Sequence, residues 1–352
     1  MSSLWKKQQR EKREREYREF RKNFIPLPPP PPEPVVAKPQ RRKLIKNFTY
    51  AVSFNPDVKC GGSHQFTLTL IDYLKNKCRR VDLSSEYDLL FVVADLYNSL
   101  NYIKERKSTI KIVHRLDGLF YDHGYDAGGP RDTNQREVCK LADLIIHQSE
   151  YGKQTMQDRG IVDRKTASVV IYNGVNTSFF KAVQRDRLPN KFVLLSSNNS
   201  RLKIKRVDRL NDFVHKGIQV IHVGKKHASV SLQRDILTYN AVSMEKLNNF
   251  LSSSQAFIHT GDKDTCPNIV LQALATGLPI IYWKTSGSVQ ELAGKAGLAV
   301  EDFNSIDGLL QELKSNYPIY HSAAIERGKL FDIKIIGEQY LEAFRKVLYG
   351  EG

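Results

Sequence analysis

The 352-residue chain holds only four cysteines, Cys60, Cys78, Cys139 and Cys266. None forms a CxxC pair or stands near histidine at metal-ligand spacing, which argues against structural zinc and for a reducing compartment. Long apolar runs are missing too. The run Leu89 to Ala94 is strand-sized, far short of the ~18 residues that span a bilayer. The basic N-terminus lacks the apolar segment of a signal peptide. These absences lead us to expect a soluble, cytoplasmic protein, with peripheral membrane contact as the variant. Acidic charge is scarce as well, 38 Asp/Glu against 54 Lys/Arg, for a net of +16.

A net charge of that size suggests nucleic acid or an anionic membrane as partner, but its distribution says otherwise. Residues 1–48 hold 14 Lys/Arg against 5 Asp/Glu, a net of +9 in one seventh of the chain. Residues 3–24 alternate in charge, with Tyr17, Phe20 and Phe24 as a thin apolar stripe, and the prolines from Pro28 to Pro32 follow. The tail reads first as a solvated charged helix on a polyproline spacer. Docking to anionic lipid or a partner is the second reading. Nucleic acid is the third, because no recognition fold is visible there.

From Phe48 onward, short apolar runs alternate with helical patterns. Strands are expected at Phe48–Phe54, Tyr87–Ala94, Ile110–His114, Leu144–His147 and Val169–Tyr172, with helices at His64–Lys75 and Gln135–Leu141. The pattern lapses near 181–190 and restarts with strands at Lys191–Ser196, Gln219–Val223, Ala256–His259 and Pro279–Trp283. The matching helices are Val207–Val214, Met244–Ser252, Pro267–Thr276, Ser305–Ser315 and Ile333–Tyr349. Such alternation implies βαβ units and parallel sheets. The fold class is α/β, two Rossmann-like doubly wound domains facing a cleft. The expected divisions are a tail and linker at 1–47, a first domain at 48–182, a second at 190–335, and a C-terminal helix at 336–352 packing back toward the first. No GxGxxG follows the first strand of either series, which disfavours a dehydrogenase.

Ligands of open parallel sheets bind beyond the carboxyl ends of the strands. In Phe257–Gly277 a strand ends at His259, a polar loop follows, and a helix begins near Pro267 with Asp264 or Thr265 as candidate cap. Its N-terminal amides, Asn268, Ile269 and Val270, suit a phosphate; an ordinary βα turn is the alternative. After the strand at 192–195 come Arg201, Lys203, Lys205 and Arg206, four cations within six positions that open a helix and could clamp a diphosphate. A solvated basic turn is the plainer reading. Asp262 and Asp264 form an Asp-x-Asp run that could hold a metal, but their place beside a helix start makes a metal site a weak reading. No carboxylate pair stands out as nucleophile and acid. Apart from His114, the histidines read as packing or surface residues, and Asp117–Gly129 as a loop that either covers an acceptor or simply connects.

These same segments carry a resemblance. IHTGDKDTCPNIVLQALATGLPIIYWKTSGSVQEL resembles the nucleotide-sugar-binding half of retaining GT-B glycosyltransferases of the family-four type, also called glycosyl transferases group 1. KIVHRLDG, LADLIIHQSEYGKQTM, VVIYNGVNTSFF and GGSHQFTLTLIDYL are similar to that family's first domain, in the family's order, over roughly 48–349. The resemblance implies a nucleotide-diphosphate sugar donor, an unknown acceptor, retention at the anomeric carbon, and neither metal nor cofactor. It assigns Asp264 to the donor sugar hydroxyls, Asn268, Ile269 and the following amides to the diphosphate, and Gln272 to the ribose. Arg201 and Lys205 would stabilise the leaving diphosphate. Gly62 would bring its backbone to the donor phosphate or the acceptor across the cleft, and His114 and Asp117 would stand near the anomeric carbon. The family's Glu-x7-Glu is Asp264-x7-Gln272 here, which implies weakened or retuned donor binding. The alternatives are an inactive sugar-nucleotide-binding relic, or a nucleic-acid- or membrane-binding protein acting through the basic arm.

Overall fold

The computed structural model describes residues 48–53, 61–94, 99–105, 109–123, 129–183, 191–215 and 217–350. The charged tail, its proline tract, and parts of the loops near 54–60, 124–128 and 184–190 lie outside the described residues. In chain order the first half contributes β1 (Thr49–Ser53), α1 (Gly62–Leu74), β2 (Arg79–Arg80), β3 (Leu89–Val93), α2 (Ser99–Lys104) and β4 (Lys111–Arg115). It continues with α3 (Pro130–Leu141), β5 (Leu144–His147), α4 (Glu150–Asp158) and β6 (Ser168–Val170). Its strands form one parallel sheet in the order β2-β1-β3-β4-β5-β6.

All five residues of β3, LLFVV, are buried, which is why the strand shows no polar alternation: helices cover both faces. Leu89, Phe91 and Val93 pack against Phe66 and Leu70 of α1, while Leu90 and Val92 meet Ile103 of α2 and Val138 of α3 on the other face.

The second half runs β7 (Phe192–Asn198), β8 (Ile218–Gly224), β9 (Leu237–Tyr239), α5 (Met244–Ser253), β10 (Ala256–His259), α6 (Asn268–Ala275) and β11 (Ile280–Trp283). It then adds α7 (Val289–Ala293), β12 (Gly297–Val300), α8 (Ile306–Ser315), α9 (Tyr317–Lys329) and α10 (Ile333–Tyr349). Its sheet is parallel throughout, in the order β12-β11-β10-β7-β8-β9. The strand residues again divide by parity: Leu195, Phe257 and Ile280 bury against α6 and α7, while Leu194, Ile258 and Ile281 bury against α8.

Two local features differ from expectation. The helix expected at Val207–Val214 is a 3-10 helix, Val207–Phe213, preceded by a second short turn at Lys203–Lys205. Arg206 between them is left-handed (φ 44°), and Asp208, Asn211 and Asp212 are residues that favour local side-chain bonds over a helix interior. Neither Asp264 nor Thr265 caps α6; the capping position is Pro267, with no side-chain cap. The helix does stop where expected. Gly277 has φ +83°, and a Cβ there would lie 2.6 Å from His321 Cε1, so glycine meets both the conformation and the close approach.

α10 returns to the first sheet. Ile336, Tyr340 and Phe344, spaced by four, bury against it, with Tyr340 and Phe344 centroids 5.9 and 5.3 Å from Phe91. Asp332 caps its start by accepting the Lys334 amide at 2.7 Å, and left-handed Gly350 ends it. Each buried aromatic is worth about 1.5–3 kcal/mol, so this helix is a principal fastener of the first half. No helix among the described residues is long and apolar enough to cross a membrane.

Candidate functional site

The carboxyl ends of both sheets line one cleft of about 480 Å³. On the second-sheet wall, β10 ends at His259, and the following loop carries Asp264 to the cleft. Lys205, from the short turn after β7, reaches Asp264 Oδ2 at 2.6 Å, both side chains being mostly buried. His259 Nε2 lies 3.7 Å from the same oxygen and makes no hydrogen bond. Burial holds its pKa down to about 4, a fall that the Asp264 charge only partly offsets. The imidazole is therefore neutral at pH 7, and the local charge is the lysine–carboxylate pair.

Beyond this pair the start of α6 opens onto the cleft, with Asn268, Ile269 and Gln272 in its lining. The Val270 amide is not available, because it donates to Pro267 O at 2.9 Å. That leaves the first-turn amides of Asn268 and Ile269, two residues that line the cavity. Asp262 is engaged elsewhere: Arg209 Nη1 donates to it at 2.6 Å, Arg206 lies 3.5 Å away, and Thr285 Oγ1 donates to it as well. Both acids of the Asp-x-Asp run are thus paired with cations of the chain, and the described residues contain no metal-ligating cluster.

The first-sheet wall is built from amides and one buried cation. Arg115, at the end of β4, is fully buried, lies over the Phe66 ring at 4.9 Å, and donates to Asp117 Oδ1 at 3.3 Å and Asn173 Oδ1 at 2.7 Å. Asp117 also accepts from Gln148 Nε2 at 2.6 Å and from Ser63 Oγ, at the start of α1. Gly61, just before that helix, has φ +113°, a conformation that only glycine adopts without strain. Gly62 lines the cleft, and its carbonyl accepts from Asn268 Nδ2 at 2.8 Å, joining the two walls. Two further contacts hold the walls together. Glu291 of α7 accepts the Glu150 and Tyr151 amides of α4 at 2.8 and 3.1 Å, and Lys263 meets Asp122 at 2.6 Å.

Of the residues expected from the sequence, the cleft brings together Gly62, Asp117, Lys205, Asp264, Asn268, Ile269 and Gln272. It does not bring His114. That side chain is fully buried, bonds Ala94 O through Nε2 at 2.8 Å and faces Cys139 Sγ at 3.5 Å on α3. Burial lowers its pKa to about 4. The cause is strand parity: Arg115 points to the α1 face, so its neighbour His114 must point to the other. Arg201 is exposed and stands at the border of the cleft, between the lining residues Ser200 and Leu202.

Sequence reasoning missed Gln148, Asn173 and His259 as cleft residues, and Arg115 buried behind them. His259 had a usable signal, since it is the last residue of a strand that feeds the site. The other three are scattered over 58 residues, and no motif joins them.

Comparison with known proteins places this geometry. Residues 196–315 match the family model Glycosyl transferases group 1. Sucrose-phosphate synthase from Thermosynechococcus elongatus superposes with a TM-score of 0.71 at 14% identity, over 87% of this chain and 100% of that one. A glycosyltransferase from Rickettsia africae gives 0.67 at 15% identity, over 87% and 100%. The fold is GT-B. Anabaena HepE, solved in complex with UDP-glucose, shares it with a TM-score of 0.65 at 14% identity, over 85% and 100%. No curated protein matches the sequence. In GT-B terms the cleft above lies between the two Rossmann-like halves, and the family match falls on the half that carries Lys205 and Asp264.

Proposed function

We propose that this chain is a glycosyltransferase that moves a sugar from a nucleoside-diphosphate donor to an acceptor, with retention and without a metal. The observation that carries the reading is the placement of Lys205, paired with Asp264, in one cleft with the first-turn amides of α6. A cation and a helix N-terminus aimed at the same space suit a diphosphate that gains charge as it leaves.

During transfer the bond from the anomeric carbon to the β-phosphate oxygen breaks, and the electron pair stays on the phosphate. Lys205 and the Asn268 and Ile269 amides meet that charge, with Arg201 joining from the border. The acceptor oxygen bonds the anomeric carbon on the face the phosphate leaves, and its proton passes to the phosphate oxygen. Asp264, held by Lys205 in the free protein, is placed for donor sugar hydroxyls, and Gln272 for the ribose diol. Gly62 presents its backbone on the opposite wall. Asp117 lines the cleft from the first half, and His114 does not. Because Asp262 and Asp264 are each bound by arginine or lysine, the site supports charge neutralisation by the chain itself. HepE was solved with UDP-glucose, so uridine donors are the first to try.

The test is a panel of UDP-, GDP- and ADP-sugars. Release of nucleoside diphosphate above background supports the enzyme; thermal stabilisation by nucleotide without turnover supports a binding relic instead. Removal of residues 1–40, a basic arm proposed only to touch anionic membrane, leaves donor binding intact under this reading. Loss of the main activity on that deletion, with Lys205→Ala silent, overturns it.

A further inference from the structure

The two walls of the cleft meet at one buried amide. Asn173 follows β6 on the crossing from the first half to the second and is almost wholly buried. Its Oδ1 accepts Arg115 Nη2 at 2.7 Å. Its Nδ2 donates to Asn268 Oδ1 at 2.8 Å, and to Gln148 Oε1 and Cys266 O at 3.1 Å each. Its backbone N–H faces Cys266 Sγ at 3.4 Å. The orientation of the amide is determined by chemistry. Arg115 can only donate and the Cys266 carbonyl can only accept, so oxygen must face the first and nitrogen the second.

Each partner leads to a part of the site. Asn268 begins α6 and reaches across to the Gly62 carbonyl. Arg115 and Gln148 both hold Asp117. One side chain therefore registers the phosphate-facing helix start, the glycine turn on the opposite wall and the first-half carboxylate. We infer that Asn173 is a positioning residue, which holds the start of α6 in register with Gly62 and Asp117 so that the donor diphosphate meets an ordered set of amides. This rests on the donor reading proposed above.

Asn173→Asp is the sharpest probe. It keeps volume and the acceptor for Arg115, but replaces every Nδ2 donor with an oxygen facing Asn268 Oδ1 and Cys266 O. The measurement is the calorimetric affinity for UDP, GDP and ADP, with kcat and KM for the matching glucose donor and Tm as the fold control. The expected result is an affinity for the best-bound nucleotide at least about tenfold weaker, as for the loss of a well-made buried hydrogen bond and its partner. KM should rise by a similar factor at a Tm that still shows a folded chain. If Asn173→Asp does not fold, Asn173→Ser, which still offers Arg115 an acceptor, carries the same test. Nucleotide affinity unchanged in a variant whose Tm has dropped overturns the inference and leaves a purely structural asparagine. A wild-type chain that binds none of the three nucleotides overturns the donor reading and this inference with it. A wild type and a variant that bind equally well overturn the inference alone.

Discussion

The two sheets end at the same cleft but furnish it with different chemistry. The second wall is electrostatic: Lys205 against Asp264, Arg206 and Arg209 against Asp262, and a helix start facing the cavity. The first wall is geometric: one buried arginine, a carboxylate and the side-chain amides of Gln148 and Asn173, joined by directional hydrogen bonds. The second concentrates charge, and the first is held together by directional bonds. Charge can be met by residues close in sequence, since a strand end and the next helix already supply cations and amides. A precise polar surface between two halves needs groups from several strands, which only the folded chain assembles.

If the first wall is a placed network, the largest effect comes from its centre. Arg115→Ala strands Asp117 and Asn173 without their buried cation, and we expect a loss of about 3–5 kcal/mol in denaturant unfolding. A loss below about 1 kcal/mol would show that the wall does not depend on its arginine.

The two sheets can also be compared through histidines. His114 and His147 of the first sheet and His259 of the second all have pKa values pushed down by burial to about 4. The unfolded chain takes up these protons near pH 6.5 and the folded chain does not, so stability is full above pH 6.5 and falls as pH drops toward 4. Each imidazole should cost roughly 1 kcal/mol between pH 6.5 and 5.5. Tm measured from pH 7.5 to 5.5 should decline steadily; a flat profile would contradict the burial of neutral imidazole in both sheets.

The smallest effect sharpens the role of the second wall. Gln272→Glu offers the ribose a charged acceptor, and we expect donor KM to fall by a few-fold, on the order of 1 kcal/mol or less. An unchanged KM would place Gln272 outside donor recognition.

Much of the fold is legible in the chain because buried parallel strands are short unbroken apolar runs. LIIH at 144–147 and AFIH at 256–259 occupy the expected positions. α9 was not legible for the opposite reason. It buries Tyr317, His321, Ala324 and Gly328, and a helix whose inward face carries histidine and glycine has no apolar stripe to read. The site divides in the same way. Asp264, Asn268, Ile269 and Gln272 fall within one strand–loop–helix unit, and a helix start beyond a strand shows in sequence. His114 misled because a strand-end position does not by itself say which face a side chain takes, and one residue of register moves it to the far side. Asn173 sits in an Asn-Gly turn that reads only as the end of a strand; its partners lie 25 to 95 residues away.

The central claim is that Lys205 and the start of α6 receive a leaving diphosphate. It is tested most directly by the rate of nucleoside diphosphate release from the best donor, for the wild-type chain and for Lys205→Ala, with Arg201→Ala as the border control. The account predicts a fall of about 10²–10³-fold for Lys205→Ala, and a smaller fall for Arg201→Ala. Release by Lys205→Ala at the wild-type rate would contradict it.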